Sequence, residues 1–360
     1  MKRETGDSQH NKRIKNNMAN YGYEIVDLAP LFEVSPVNNF LLQALNIFDF
    51  DTSDTPKIEI DRIMNDNATL MNDNVKRYGS EHNTTQLPTA TGYLVEIPHF
   101  ARIDQISSQD FQGRKALRAD REETLLDIST EYVARHKLAH SRTVEAYLAN
   151  CLFNAKVNTP KTDDQLIDYS TQFGTDQKVE TLALSDASLD VMQAFDGFVN
   201  ELATDGQSLV SSVRRYVLFA GASMFSKIRF HASMKSAFQY VSPLDAGNVV
   251  FNVREVLPNV QSFTIPGTNI DVVKVADPIL SAYIGADEGI LLPIFVDGTG
   301  AYQRIAGPAS RDLDLALGET AEYYMTMRKS NDWNDLSIRF EAGLLPVNHA
   351  FNLSMKITAA

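Results

Sequence analysis

The chain has 360 residues and a formal net charge of -13, with 44% hydrophobic and 22% charged side chains. This length is enough for two ordinary domains or one large one, whereas the acidity argues against broad binding to nucleic-acid phosphates, which needs clustered Lys and Arg. The single cysteine excludes an internal disulfide framework and fits a reducing compartment, and no apolar run approaches the roughly 20 residues that cross a bilayer.

The N-terminus departs from the acidic trend. Residues 2–15 carry five cations against Glu4 and Asp7, with almost no apolar side chain, and no hydrophobic stretch of a secretory signal follows them. We expect a solvated basic tail; the alternative is an arm that touches a partner or nucleic acid. Residues 23–50 are apolar but interrupted by Pro30 and Pro36, which favours an extended segment with a short helix at 39–45.

Two strands with a long polar connection follow. Residues 57–63 alternate apolar and charged side chains, and residues 92–100 are the natural partner strand. Almost thirty residues rich in Asn, Asp and Thr separate them. Connections of that length inside a compact domain are uncommon, so we expect a β-arm that projects from the body.

From residue 120 the apolar period changes to that of a helix. Residues 120–157 contain no Gly or Pro, acids crowd their start, and apolar side chains recur every three or four positions. A helix of that length extends for about 50 Å or more. No sustained heptad predicts a coiled coil, so the helix is expected to serve as a strut.

The remainder is mixed and then rich in strands. A helix is expected at 188–202 with Asp186 or Ser185 as its cap, then a buried strand at 214–221 that runs into one amphipathic helix. Turn signals occur at 266–269 and at 297–300, both of which we interpret as hairpin turns. The other expected strands lie at 248–256 and, three of them, in 321–357.

His136 and His140 invite a test for a metal site. A zincin helix requires His-Glu-x-x-His, but Lys137 occupies the position of the general base. Glu145 follows His140 by five residues, which points it away from the pair. The pattern therefore favours packing histidines; a metal-dependent hydrolase that uses both of them is the alternative from a different class.

The other reactive-looking groups also favour structural roles. Cys151 lies towards the C-terminus of the expected helix, where the macrodipole raises the pKa of a thiol. Five internal cations form one basic cluster that favours subunit contacts or a solvated face: Arg214, Arg215, Lys227, Arg229 and Lys235. No catalytic, cofactor-binding or metal-ligating residues are predicted, and the chain is not expected to be an enzyme.

Several stretches resemble one family. "IPHFARIDQISSQDFQGRK" (97–115), with a turn at 110–114, is similar to the link from arm to strut in the major capsid proteins of tailed phages with the Hong Kong 97-type fold, in the group of the phage lambda major head protein E. "SRTVEAYLANCLFNAKV" (141–157) resembles the end of the strut, with Thr143 and Glu145 as a T-x-E pair. "LIDYSTQFG" (166–174) resembles the short strand that follows.

Later stretches extend the resemblance to residues 20–357. "YVLFAGASMFSKIRFHASMKSAF" (216–238) is similar to the family's axial strand and helix, and "GPASRDLDLALGETAEYYMTM" (307–327) resembles its next segment. "FEAGLLPVNHAFNLSMKI" (340–357) is similar to the closing strand pair, although 344–346 depart from the family's order.

The resemblance implies an α+β capsid subunit that self-assembles into hexamers and pentamers of an icosahedral shell around double-stranded DNA. Its implied parts are an N-terminal arm (1–50), an E-loop (51–110), a spine helix of the peripheral domain (111–160), an axial domain (161–285) and a β-rich return (286–360). Implied partners are further copies, a separate scaffolding protein, a portal protein at one vertex and a possible decoration protein, with no cofactor and no membrane. Assembly is expected in the host cytoplasm; an encapsulin-like cellular shell is the alternative within this class.

Overall fold

The computed structural model describes residues 26–34, 40–60, 93–115, 121–157, 167–174, 176–240, 260–329 and 336–360. Within them, no helix is both long enough and apolar enough to span a membrane. The strands are β1 (Val26–Asp27), β2 (Asp49–Thr52), β3 (Lys57–Ile60), β4 (Tyr93–Glu96), β5 (His99–Ile106), β6 (Lys156–Val157), β7 (Ile167–Asp168), β8 (Lys178–Leu182), β9 (Val213–Ala220), β10 (Ser262–Thr264), β11 (Ile270–Lys274), β12 (Glu288–Phe295), β13 (Tyr302–Gly307), β14 (Tyr324–Lys329), β15 (Leu336–Asn348) and β16 (Met355–Ala359). The helices are α1 (Ala29–Val34), α2 (Leu41–Leu45), α3 (Ser108–Lys115), α4 (Arg121–Asn154), α5 (Tyr169–Phe173), α6 (Val191–Gly206), α7 (Ala222–Phe230), α8 (Ala232–Tyr240), α9 (Pro278–Ser281) and α10 (Leu313–Ala316), with 3-10 turns at Gln207–Ser212 and Phe351–Leu353.

The first sheet is organised around β15. Its strand order is β1-β14-β15-β13-β2, and β5 also pairs with β15. The first part of β15 pairs with β14 and β5, whereas its last residues pair with β13. Alternate residues of β15, among them Ile338 and Phe340, form a core with Ile128 and Val133 of α4. One face of this sheet is therefore covered by the first half of the long helix.

The second sheet has the order β10-β11-β9-β12-β16-β8. Its central strand β9 is buried from Tyr216 to Ala220 and alternates between two cores. Phe219 faces the end of α4, with its ring centroid 5.4 Å from that of Phe153. Leu218 faces the opposite side, where α6, α7 and α8 form a helical layer. Because both faces of β9 are buried, its sequence is a continuous apolar run rather than an alternation of apolar and polar residues.

The long helix joins the two sheets. Thirty-four residues form α4, and at 1.5 Å per residue this gives a length of about 50 Å. Its apolar side chains pack on the first sheet near Val133 and on the second near Leu152, both fully buried. The predicted long helix is confirmed over Arg121–Asn154, within the expected residues 120–157.

Several expectations for local structure are confirmed. The strands β3 and β4 pair antiparallel, with Lys57 opposite Glu96. β10 and β11 form the hairpin expected at 266–269, where Gly267 has a φ of 75°. The three closing strands are β14, β15 and β16. The strand expected at 248–256 and the connection at 61–92 lie outside the described residues.

Other expectations are wrong, and local capping explains two of them. Residues 110–114 belong to α3 rather than to a turn, because Asp110 and Ser107 at its start exchange hydrogen bonds. In the described part of the segment 166–174, the expected short strand is limited to Ile167–Asp168, since Asp168 caps α5 by accepting from the backbone N–H of Thr171 at 3.2 Å. Residues 29–34 likewise form α1 where an extended chain was expected.

The remaining corrections concern the second sheet. The expected single helix after β9 is two helices, because the chain is extended at His231, whose Nδ1 lies 2.8 Å from Ser233 Oγ and whose Nε2 lies 3.0 Å from the carbonyl of Asp186. The N-terminal cap of α6 is Asp190 rather than Asp186 or Ser185, since the Asp190 carboxylate accepts from the N–H of Met192 at 3.0 Å.

The segment 297–300 is not a hairpin turn. It leads from β12 in the second sheet to β13 in the first, so the flanking strands do not pair. Gly298 and Gly300 both have positive φ, and their N–H groups donate to the carboxylate of Asp49 at 3.1 and 3.3 Å. The two glycines therefore serve a crossover between sheets.

Candidate functional site

Glu145 on α4 holds the segment that contains α2. The side chain is fully buried, and its carboxylate accepts from the N–H groups of Leu42 at 2.8 Å and Gln43 at 3.3 Å. The Gln43 amide donates to the same carboxylate at 3.2 Å and to the carbonyl of Ser141 at 2.8 Å. Burial raises the pKa of Glu145, while these hydrogen bonds oppose the rise. The acid thus anchors one chain segment on another.

His136 joins α4 to the first sheet. Its ring is buried, and Nε2 hydrogen-bonds the carboxylate of Asp104 on β5. Arg102 donates to the same carboxylate at 3.2 Å. Burial lowers the pKa of His136 and outweighs the opposing effect of Asp104. This histidine is committed to a structural contact.

His140, one turn later, lies in an aromatic cluster instead. Its ring centroid is 5.1 Å from that of Phe340 and 6.2 Å from that of Phe32 on α1. Burial lowers the pKa of His140 to about 4, so the ring is neutral at neutral pH. Between the two histidines, Lys137 donates to the carbonyl of Glu33 at 2.8 Å and lies over the ring of Phe32.

The histidine pair therefore does not form a metal centre. The two rings have different partners, and Glu145 bonds α2 rather than either ring. Among the residues that the structure describes, no three His, Cys, Asp or Glu side chains come together as a ligand set. The hydrolase alternative finds no support in this geometry.

Cys151 is a core residue. It is fully buried between the sheets' apolar side chains. Burial raises the pKa of its thiol well above the usual range. The direction matches the sequence-based expectation, but the cause is loss of solvent rather than the helix macrodipole. A protonated, enclosed thiol is a poor nucleophile.

Four of the five cations of the expected basic cluster contact other groups. Arg215 donates to the carboxylate of Asp271 at 3.1 Å, and Lys227 lies 3.0 Å from that of Asp287. Arg229 and Lys235 flank the ring of Phe230. The expected basic cluster is thus divided between local ion pairs and one aromatic side chain.

Strands β3 and β4 form a two-stranded ladder. Within the described part of the chain, β3 and β4 pair only with each other. Ile60 and Val95 are buried against the main core, whereas Leu94 is 63% exposed. The ladder therefore has one face on the main core and one apolar side chain directed to solvent.

Exposed apolar side chains also occur on other elements. Leu313 and Leu317, one turn apart at α10, are 75% and 79% exposed, and Leu315 between them lines a groove with Ile103 of β5. Sequence patterns did not single out this strip; its only signal is the Leu-Asp-Leu-Ala-Leu run. Among the described residues, the other large exposed apolar side chains are those of Val34, Phe50, Ile103, Val179, Phe230 and Val296.

Comparisons with known proteins agree on one class. The model of a family described as phage major capsid protein E matches residues 24–359. The solved structure of a prophage capsid protein from E. coli CFT073 superposes with a TM-score of 0.60 at 12% identity, covering 94% of this chain and 100% of that one. A capsid chain of cyanophage A-1(L) gives a TM-score of 0.51 at 16% identity, covering 90% and 95%.

At sequence identities of 12% and 16%, the structural comparisons support a conclusion about the fold alone. They indicate the mixed α/β fold of Hong Kong 97-type capsid proteins. Among curated proteins, no sequence matches significantly.

Proposed function

The chain belongs to the phage major capsid protein E family, and from this membership we propose how its parts build a shell. The family match carries the conclusion because it extends over almost the whole chain, from residue 24 to residue 359. The protein is a structural component of the virion capsid rather than an enzyme, and its copies assemble into an icosahedral shell. The family match also favours the phage capsid over an encapsulin-like cellular shell.

The parts of the subunit are proposals at a finer level. We assign residues 1–50 to the N-terminal arm, 51–110 to the E-loop, 111–160 to the spine helix of the peripheral domain, 161–285 to the axial domain and 286–360 to the β-rich return. The continuity of α4 between two separate sheets supports its role as the spine. The helical layer on the second sheet supports a separate axial unit.

The E-loop is expected to lie across a neighbouring subunit. Its support is the β3–β4 ladder, in which Leu94 is exposed beside the buried Val95. An isolated two-stranded hairpin has marginal stability in water, so packing against another copy supplies the burial that the subunit itself does not. Shell contacts then accumulate over many heterologous interfaces.

Deletion of residues 65–90 tests this assignment. We expect a folded subunit that forms no shells, because the deletion removes no residue of β3, β4 or the three described cores. Electron microscopy measures assembly and circular dichroism measures folding. Shells indistinguishable from those of the intact chain would refute the E-loop assignment.

The assembled particle is proposed to contain hexamers and pentamers of this chain around double-stranded DNA. The net charge of -13 supports a container whose wall does not grip phosphates. A separate scaffolding protein, a portal protein at one vertex and a possible decoration protein complete the proposed set of partners. Electron micrographs of the expressed protein, with and without a scaffolding protein, test this: monomers under every assembly condition would contradict it.

A further inference from the structure

The first sheet carries an open groove beside α10. Its apolar lining includes Ala101 and Ile103 of β5, Leu315 of α10 and Tyr324 of β14. Ile103 is 51% exposed and stands opposite Arg339 in the register of β5 with β15. An exposed apolar surface between two walls is typical of a site that receives a partner.

The wall formed by α10 is fixed at both ends. At its start, the carboxylate of Glu341 accepts from the N–H of Arg311 at 3.1 Å. At its end, the hydroxyl of Thr320 donates to the carboxylate of Asp54 at 2.8 Å. The exposed leucines of residues 313–317 project from the turn between these two anchors. The groove is thus held open before anything binds, which lowers the entropic cost of binding.

Two guanidinium groups at the groove have no carboxylate partner among the described residues. Arg311 and Arg339 both line the groove and are exposed. The two acids of the lining are already engaged, Asp312 in an ion pair with Arg328 and Glu341 with backbone N–H groups. The groove therefore favours an occupant that combines an apolar group with carboxylates.

The chain itself contains a segment of that composition. Residues 330–335, Ser-Asn-Asp-Trp-Asn-Asp, include its single tryptophan, Trp333, with Asp332 and Asp335 beside it. They connect the paired ends of β14 and β15. An indole ring fills apolar pockets and stacks on guanidinium groups, and Trp is enriched among the residues that dominate binding energy at interfaces.

This segment does not reach the far part of the groove in its own copy. Trp333 is three positions from Leu336, which at about 3.4 Å per residue allows a reach of at most about 10 Å. Ala101 of the groove stands opposite Glu341, five positions along β15 from Leu336 and therefore about 17 Å away. A second copy, which the proposed shell supplies, has no such restriction.

We infer that Trp333 of one copy, with Asp332 and Asp335, docks in the groove between α10 and β5 of a second copy. The indole ring lies against the apolar lining, and the two carboxylates face Arg311 and Arg339. The contact joins two different surfaces, so it repeats from copy to copy as a heterologous interface does. It rests on the proposed function, which it deepens by naming one contact between the subunits of the shell.

The single tryptophan makes this contact measurable in the full-length chain. One variant, Trp333→Ala, keeps the groove, and a second, Ile103→Gln/Leu315→Gln, keeps the tryptophan. In their equimolar mixture, under the conditions of assembly, all tryptophan fluorescence comes from the second variant and every intact groove belongs to the first. We expect the emission to move to shorter wavelength on mixing and quenching by acrylamide to fall, because the ring leaves water.

Folding of both variants is checked by circular dichroism. Ile103→Gln alone, at a half-exposed position, replaces the double groove variant if that variant departs from the wild-type spectrum. A further substitution, Arg339→Glu in the Trp333→Ala chain, tests the charges. It is expected to raise the concentration of half-maximal fluorescence shift at least about threefold, since it places like charges together.

Assembly of shells reports the same contact. Each variant alone is expected to raise the lowest concentration that gives sedimenting shells by at least about tenfold. The chain with all three substitutions is expected to be no weaker than the weaker of the two, because both sets remove one contact. The matched control, Val179→Gln/Val296→Gln, removes two exposed apolar side chains outside the groove and is expected to assemble normally.

The outcomes distinguish the two levels of the argument. Wild-type chains that form neither shells nor capsomers would overturn the proposed function, whereas a fluorescence shift on mixing would still support this contact. Wild-type shells without that shift, or with unchanged assembly of Trp333→Ala, would overturn the inference alone. Additive losses in the combined variant would show that the groove has another occupant, and a control as defective as the groove variant would show general damage; either result would also overturn it.

Discussion

Replacement of Glu145 by Ala is expected to release α2 from the long helix. The buried carboxylate is the acceptor for the N–H of Leu42 at 2.8 Å, and Leu42 is itself 1% exposed. A buried donor without an acceptor costs about 1–3 kcal/mol. Gln43 is only partly buried, so water replaces much of what it loses. We therefore expect a local loss of about 2 kcal/mol, equivalent to roughly thirtyfold faster opening of this segment.

Native-state hydrogen exchange of the full chain measures this loss. A peptide that covers residues 40–47 is expected to exchange faster in Glu145→Ala, while β9 keeps its protection. Glu145→Gln is expected to lie between the wild type and Ala, because one amide oxygen still accepts from Leu42 while the amide nitrogen opposes Gln43. Glu131→Ala, which removes a partner of Arg135 on the same helix, is the control and costs below about 0.5 kcal/mol. Unchanged exchange at 40–47 in Glu145→Ala would show that the carboxylate does not hold α2.

Two further predictions concern pH and close packing. The imidazole of His140 has a pKa of about 4 in the folded protein, against an ordinary value of 6.5. Between pH 4 and pH 6.5 the unfolded chain therefore binds a proton at this ring and the folded chain does not. The stability contributed by the neutral ring is complete above pH 6.5 and is lost as the pH falls towards 4. His140→Phe is expected to flatten the dependence of the urea midpoint on pH over that range, and an equally steep dependence would contradict the assignment. Gly221→Ala is expected to destabilise the fold by about 3 kcal/mol or more in denaturant unfolding, because its Cβ meets the carbonyl oxygen of Gly285 at 2.1 Å. The matched Gly197→Ala lies in open space on α6 and is expected to stabilise by about 0.5–1 kcal/mol; equal losses in both would argue against the close approach.

Local sequence patterns correctly predicted the elements that depend mainly on interactions between residues close together in the chain. The period of residues 120–157 predicted α4, because a helix satisfies its own backbone and its buried stripe repeats along one segment. The Pro-Gly-Thr-Asn run predicted the β10–β11 turn. Lys137 beside His136 was enough to argue against a zincin site. The resemblance to one family of capsid proteins likewise depended on short stretches and their order.

Other features were decided by contacts between distant segments. The helix after β9 breaks at His231 because its ring reaches the carbonyl of Asp186, 45 positions away in the chain. The segment 297–300 also depends on a distant residue. Two strands with a turn between them predict a hairpin, but here the turn bonds Asp49 and connects strands of two different sheets. No local sequence pattern indicates that His231 contacts Asp186 or that Asp49 contacts the segment 297–300.

The sequence by itself determined the class of protein, the long helix, the pairing of β3 with β4 and the structural character of His136, His140 and Cys151. Only the tertiary structure decided their partners. The spacing of Glu145 pointed it away from the histidine pair, and the structure shows that it anchors α2, a contact across 103 positions. Leu218 and Phe219 are neighbours in one apolar run, but the core that each of them faces depends on the strand order of the second sheet. Strand order follows from which apolar faces can be buried together, and that is a property of the whole chain rather than of any one segment.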